Sequence, residues 1–216
     1  MHRRIGIILN RRNVGTNDRR ITLFCADGKH ELRARGTQKF ESKLAGSLEP
    51  LTLVDVTTVR GRNGEQVTGS AIRDPYRALH ASLPRLAAAG LIAASIDAVV
   101  HGWHDERLLL KRVREAFALI GRSRTNRQLL LSVGYGLWNL IAIAGYAPSA
   151  RPGKATPTTR LIEVLVRGDV GLVRRIRCTV RTSRECIDAA LKQLHLITDS
   201  DIPAARFFSY ATHAVR

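Results

Sequence analysis

The fold is decided by the stretch RITLFCADGKHELRAR, residues 20–35. Its first six residues are mostly apolar or β-branched, which is typical of a strand. They are followed by Asp27-Gly28, a dipeptide that favours a tight hairpin turn, and residues 29–35 can return as the second strand. The stretch therefore predicts a β-hairpin, and the β pattern continues on both sides of it.

Three further strands are predicted around this hairpin, at Ile5–Leu9, Leu51–Val59 and Gln66–Ile72. Asn63-Gly64 marks a second tight turn between the last two. Five short strands with two such turns in about 70 residues predict a small closed barrel of the OB type. The segment Lys39–Ser47 would then be the helix or long loop between strands three and four.

From about Asp74 the apolar residues recur at helical spacing. We predict helices over Leu79–Val100, from Asp105 through Ile120, over Gln128–Ala144, over Ser183–Leu194 and from Ser200 onward, with a loop at 147–160. The chain is thus predicted to be α+β: a five-stranded OB-type β-barrel in residues 1–76 followed by an all-helical domain in residues 77–216.

The most apolar stretch, Leu129–Ala144, is somewhat short for a membrane span, and Ser132 and Asn139 interrupt it. It is predicted to be a buried core helix, so no membrane partner is expected. The apolar run at the N-terminus is shorter than the core of a signal peptide. With three sparse cysteines, this favours a reducing, cytoplasmic location.

The net charge of the chain indicates which class of partner it binds. Its 216 residues include 35 Lys and Arg against 18 Asp and Glu, a formal net charge of +17. Such an excess repels itself in a compact state and calls for an anionic partner, of which nucleic acid is the commonest. Only 5% of residues are aromatic, so binding should depend on phosphate charge more than on base stacking.

The predicted barrel carries the candidate DNA contacts. They would hold phosphates without reading sequence; the alternative for any one of them is an ordinary solvated charge. Three of them, Arg35, Lys39 and Lys43, border the loop over the barrel mouth and are the strongest candidates. The full set is Arg11, Arg12, Arg19, Arg20, Arg33, Arg35, Lys39, Lys43, Arg60 and Arg62.

A second candidate site lies on the helix that follows Asp105. Lys111, Arg112 and Arg114 flank the apolar Val113 and Phe117. A groove with an apolar floor and a basic rim could accept an acidic peptide tail. The pattern favours the alternative, in which the apolar stripe of an amphipathic helix packs against the core. Farther on, the basic run from Arg174 to Arg184 is either more DNA surface or solvated surface.

Catalytic and metal signatures are missing from the sequence. Cys25, Cys178 and Cys186 form no CxxC pair, so no metal site is predicted. There is no GxxxxGK[ST] phosphate loop and no nucleophile elbow. The chain is predicted to be no enzyme and to need no cofactor.

Several motifs resemble the RecO family of bacterial recombination mediators. The family's turn between the first two strands matches at Gly15, Asp18 and Arg19, although its Tyr and Glu are replaced. Ala34-Arg35-Gly36 matches the end of the third strand. The motif Ser-[Lys/Arg]-Leu-x-Gly-x-Leu-x-Pro is complete at Ser42–Pro50, and Leu129–Pro148 matches an apolar helix ending in Gly-Tyr-x-Pro.

The resemblance implies an OB barrel and a helical domain without enzymatic turnover. It implies binding of single- and double-stranded DNA, annealing of complementary strands, and cooperation with RecR. It also implies binding of the acidic C-terminal tail of single-strand binding protein, indirect action on RecA, and a nucleoid-associated location. One departure is clear: Ser149–Lys154 contains none of the cysteines that many members carry there to hold zinc. The chain is also short for the family, so a trimmed helical domain is expected.

Two rival functions remain open on sequence alone. An RNA-binding or ribosome-associated OB protein would satisfy the same charge argument. An enzyme acting on nucleic acid is disfavoured because no set of acids is clustered for metal binding.

Overall fold

The structure is a computed structural model that describes residues 1–37, 44, 46–62, 64–102, 105–148 and 156–213. Its contacts divide the chain into two compact units. The first unit comprises Met1–Tyr76 and Val100–Leu110, and the second comprises Arg77–Val99 and Lys111–Arg216. The boundary between residues 76 and 77 stays a prediction, and residues 100–110 group with the first unit by their contacts.

The first unit contains a closed barrel of five strands in the order β1-β2-β3-β5-β4. β3 and β5 pair in parallel, the other neighbours are antiparallel, and β4 closes the barrel by pairing with β1. The predicted OB-type barrel is therefore confirmed. The strands are β1 His2–Val14, β2 Asp18–Cys25, β3 Gly28–Ala34, β4 Leu53–Gly61 and β5 Gly64–Asp74.

β1 pairs with two neighbouring strands. Its first half pairs with β4 and its second half with β2, and the register with β2 shifts between Ile8 and Asn10. This bulge places Ile8 opposite Leu23 but Arg11 opposite Ile21. Because Ile21 and Leu23 both lie in the barrel core, the inward-facing positions change from even to odd numbers along β1. This change decides which arginines of β1 face outward.

The second unit is built from helices. A short 3₁₀ helix, Arg77–Leu79, precedes the first of them. Residues 106–110, the first turn of α2, group with the first unit by their contacts. The helices are α1 Leu83–Val99, α2 Glu106–Arg122, α3 Asn126–Ile143, α4 Pro157–Val166, α5 Val170–Arg175, α6 Val180–Thr198 and α7 Ala204–His213.

α3 is the central helix of the second unit. Every residue from Leu129 to Ile141 is buried, as expected for a helix covered on all sides. The prediction of a buried core helix is thus confirmed. Within the described ranges, no helix is both long and apolar enough to cross a membrane.

Two helices begin at residues whose sequence pattern does not predict a helix start. α4 starts at Pro157, inside the segment predicted as a loop, because Thr156 caps it and proline is tolerated in the first turn. α5, which was not predicted, follows Asp169, whose carboxylate accepts hydrogen bonds from the N–H groups of Gly171 and Leu172.

Candidate nucleic-acid interface

Three arginines from neighbouring strands lie side by side on the barrel. Arg12 of β1 pairs with Arg20 of β2, and Arg20 pairs with Arg33 of β3. Directly opposite residues of antiparallel strands share a face, with Cβ atoms about 4.5–5.5 Å apart. We call these three residues the arginine row. Since Ile21 and Leu32, the sequence neighbours of Arg20 and Arg33, are core residues, the arginine row faces outward.

Arg33 is held in place by Asp18. Its Nε and Nη2 donate to Asp18 Oδ2 at 3.0 and 2.7 Å, and the other carboxylate oxygen accepts the N–H of Gly36 at 3.0 Å. These bonds, the one from Gly36 first and those from Arg33 next, lower the pKa of the Asp18 carboxyl. The Arg33 side chain remains 40% exposed, so it is both oriented and accessible.

Arg20 and Arg12 are less constrained. Arg20 Nη1 lies 3.6 Å from Glu31 Oε2, and both side chains are more than half exposed. An exposed pair at this distance contributes little and is easily exchanged for another anion. Arg12 is exposed and forms no ion pair with any residue that the structure describes. Both guanidinium groups are thus available to a ligand.

Arg11 and Arg19 occupy a different position, on the inward-facing side of β1 and β2. Both lie against Glu49: Arg11 donates a hydrogen bond to its carboxylate, and Arg19 Nη1 lies 3.7 Å from it. Nε and Nη1 of Arg19 are buried and have no hydrogen-bond partner within the described ranges. The Glu49 carboxylate therefore brings the two arginines together.

The remaining predicted contacts lie near the strand ends. Arg35 is exposed just after β3, and Arg60 and Arg62 are exposed at the turn between β4 and β5. Arg33 pairs with Gln66 of β5, and Gln66 pairs with Val59 of β4. The turn between β4 and β5 therefore lies next to the Arg33 end of the arginine row. OB barrels bind oligonucleotides on the face of strands 2 and 3 and on this loop. Lys39 and Lys43 lie outside the described residues.

Two other exposed arginines of the barrel are bound to a buried acid. Arg3 and Arg73 both donate hydrogen bonds to Asp55, whose carboxylate is buried. These two arginines lie on β1 and β5 and are paired with an acid of β4. The distinction between paired and available arginines could not be drawn from the sequence, because it depends on strand register.

The second candidate site is altered by the packing of α2. Val113 and Phe117, its predicted floor, are each only 1% exposed. Arg112 Nη1 donates hydrogen bonds to Glu115 Oε2, at 3.0 Å, and to the carbonyl oxygen of Gly168. Lys111 and Arg114 are exposed. Lys111 and Arg114 are therefore two charges on the surface, and the apolar stripe of α2 packs against the core. This is the arrangement that the alternative interpretation predicts.

Comparisons with known proteins support the family resemblance. Residues 1–76 match the family described as "Recombination protein O N terminal". A "DNA repair protein RecO" of Roseiflexus sp. is 34% identical over 100 residues, which cover 46% of this chain and 35% of the relative. The protein of the same name from Rubrobacter xylanophilus is 28% identical over 158 residues, covering 68% of this chain and 59% of the relative.

The relatives that match over more of the chain extend the likeness beyond the barrel. A "DNA repair protein RecO" of a Synechococcus species is 29% identical over 161 residues, 69% of this chain and 56% of the relative. The chain spans about half the length of the curated relatives it matches. The closed five-stranded barrel and the match over residues 1–76 agree, so the first unit resembles the N-terminal domain of the RecO family.

Proposed function

We propose that this chain binds DNA through phosphate contacts at the arginine row and anneals complementary strands in DNA repair and recombination. The observation that carries the proposal is the register that aligns Arg12, Arg20 and Arg33 on the outer face of β1, β2 and β3. The repair role rests on the relatives named "DNA repair protein RecO".

An anion is the natural complement of this arrangement. Like charges directly opposite one another across strands destabilise a sheet. Asp18 compensates one of the three arginines closely, and Glu31 compensates a second at 3.6 Å in an exposed setting. A phosphate backbone laid across the row would neutralise the excess, with arginine supplying forked donors to phosphate oxygens.

Phosphate binding of this kind fits annealing. Contacts to phosphate hold a strand without engaging the edges of its bases. Tyr and Trp are few, and the arginine row itself contains no aromatic residue, so the bases stay free to pair. Screening of two backbones by a chain of net charge +17 lowers their mutual repulsion. No step of this process needs ATP or enzymatic turnover.

We further propose that the chain cooperates with RecR, acts indirectly on RecA, and binds the acidic tail of a single-strand binding protein. For the tail we favour a cavity of about 220 Å³ in the second unit. Arg122, Arg127 and Arg174 line it, and no ion pair engages them among the described residues. Leu119 and Val173 give it an apolar floor. The three arginines suit an acidic tail, and the apolar floor can pack an apolar side chain of a bound peptide.

The tail site is tested with a fluorescent peptide that carries acidic residues and an apolar C-terminal residue. Fluorescence anisotropy should show binding to the wild-type chain and at least tenfold weaker binding to R122A/R127A. The double variant K111A/R114A removes the same charge from α2 and should bind as wild type. Loss of binding in K111A/R114A alone would return the site to Lys111 and Arg114.

The main function is tested by annealing of complementary oligonucleotides without ATP, bare and coated with the cognate single-strand binding protein. Acceleration on both supports the proposal together with its partner site. Acceleration on bare strands alone supports annealing and removes the partner site. No acceleration on either, with RNA bound more tightly than DNA at matched salt, would replace the proposal by the RNA-binding alternative.

A further inference from the structure

One end of the barrel interior is closed by polar side chains. Each strand contributes one, at an inward-facing position that continues its apolar series: Arg4 on β1, Cys25 on β2, His30 on β3, Thr58 on β4 and Glu65 on β5. We call these five residues the polar layer. Alternation alone accounts for this: residues 21, 23 and 25 face inward on β2, as do residues 30, 32 and 34 on β3.

Arg4 organises one half of the polar layer. Its Nη1 and Nη2 donate to the two carboxylate oxygens of Glu65 at 2.7 and 3.1 Å, and Nη1 lies 3.3 Å from Thr58 Oγ1. Its Nε donates to Asp27 Oδ2 at 3.1 Å. Asp27 belongs to the turn between β2 and β3 and lies over the end of the barrel. One oxygen of Asp27, Oδ1, is left on the side away from Arg4.

The other half of the polar layer brings three metal-ligand types together. Cys25, Asp27 and His30 each place one ligand atom so that all three lie within 4.8 Å of one another. His30 Nε2 is 3.3 Å from Asp27 Oδ1. This nitrogen is buried and faces the Asp27 carboxylate, but their geometry falls short of a full hydrogen bond. A buried nitrogen in that condition is costly unless a ligand satisfies it.

We propose that the hairpin of β2 and β3 binds a divalent, thiophilic metal ion, with Zn²⁺ as its natural occupant. Cys25 Sγ, Asp27 Oδ1 and His30 Nε2 are the ligands. Thiolate, imidazole and carboxylate together form a ligand set that suits Zn²⁺. Bond lengths of about 2.0–2.3 Å place tetrahedral ligand atoms about 3.3–3.8 Å apart. The three ligand atoms lie within 4.8 Å of one another, so side-chain shifts of up to about 1 Å bring them to this spacing.

The charges of the neighbourhood balance a divalent ion. Glu65 neutralises Arg4, and Asp27 supplies one negative charge. Burial raises the pKa of the Cys25 thiol to about 12, so the thiol is neutral before the ion arrives. On binding, the S–H bond breaks, an S–metal bond forms and the proton passes to solvent. Cys25 and Asp27 then carry two negative charges against the two positive charges of the ion.

The sequence prediction of no metal site considered pairs of cysteines. The present site has a single cysteine and the spacing Cys-x-Asp-x-x-His, three ligand types within six residues of one hairpin. The Asp27-Gly28 turn brings them together: Cys25 pairs with Gly28, and Leu23 pairs with His30. The alternation of both strands directs Cys25 and His30 to the same side.

Co²⁺ is the direct probe, because a tetrahedral thiolate site gives it strong visible absorption. The untagged full chain is titrated with Co²⁺ and then with Zn²⁺. The proposal predicts one equivalent of Co²⁺ per chain, visible bands, and their loss when Zn²⁺ displaces the cobalt. The variants C25S and H30Q should lose the bands, whereas C178S/C186S should keep them, since it alters only the other two cysteines.

C25S and H30Q alter the interior of the barrel and could lose the bands by misfolding. D27N tests the site without that problem, because Asp27 is an exposed turn residue. It should weaken Co²⁺ binding about tenfold or more while its circular dichroism matches wild type. The proposal is overturned if wild type binds no stoichiometric Co²⁺, if the bands persist in C25S, or if D27N binds as tightly as wild type. None of these results bears on DNA binding at the arginine row.

Discussion

Arg20 lies directly opposite Arg33 across β2 and β3, and both side chains share the outer face of the barrel. Asp18 fixes Arg33 by two hydrogen bonds, whereas Arg20 has only a distant, exposed contact with Glu31. A sheet gains nothing from placing two such charges side by side. The arrangement is accounted for if an anionic backbone crosses the strands here, and Arg12 extends the same row to β1.

Gly6 is required by the closure of the barrel. A methyl group at position 6 would lie 2.4 Å from the carbonyl oxygen of Phe24 and 2.6 Å from Cys25 Sγ. We expect G6A to lower the free energy of unfolding by about 1–3 kcal/mol through overpacking. G69A is the matched control on β5, where the nearest atom would be 3.8 Å away. Urea unfolding followed by circular dichroism measures both, and equal stability of the two variants would contradict the packing described.

The barrel should lose stability in acid through Asp55. Hydrogen bonds from Arg3 and then from Arg73 lower the pKa of its carboxyl well below the usual value of about 3.9. The folded state therefore binds this proton less readily than the unfolded state. The stabilisation is complete above about pH 4 and is lost as the pH falls toward the folded pKa.

This pH dependence is measured by urea unfolding at pH 6 and at pH 3. Wild type should lose stability between them, and D55N, which has no carboxyl to titrate there, should lose less. An equal loss in D55N would assign the acid sensitivity to other groups.

The second unit depends on a buried network around Tyr135. The hydroxyl donates to Glu115 Oε2 at 2.6 Å and accepts a hydrogen bond from Arg112 Nη1 at 3.3 Å. Y135F removes both bonds and leaves partly buried charges less satisfied, so we expect a loss of about 1–3 kcal/mol in the free energy of unfolding. Y210F, at a tyrosine that is 69% exposed, should have no measurable effect. If Y135F unfolded with the same free energy as wild type, the network would contribute nothing to stability.

Local patterns predicted much of this fold, because Asp27-Gly28 and Asn63-Gly64 both precede strands that the structure confirms. The arginine row could not be predicted, because the outward position of Arg12 depends on the bulge between Ile8 and Asn10. No residue type in the sequence indicates that bulge. The polar layer was missed for a related reason. Arg4 and His30 do not look like interior residues until the register places them beside Glu65 and Cys25.

The central claim is that the arginine row holds phosphates, and the salt dependence of binding to single-stranded DNA tests it most directly. Each phosphate contact contributes about 0.7 to the slope of log affinity against log salt. R12A/R20A should therefore weaken binding and flatten the slope by about 1.4. The control R77A/R107A removes two other exposed charges and should keep the slope of wild type. An unchanged slope in R12A/R20A would remove the arginine row from the DNA interface.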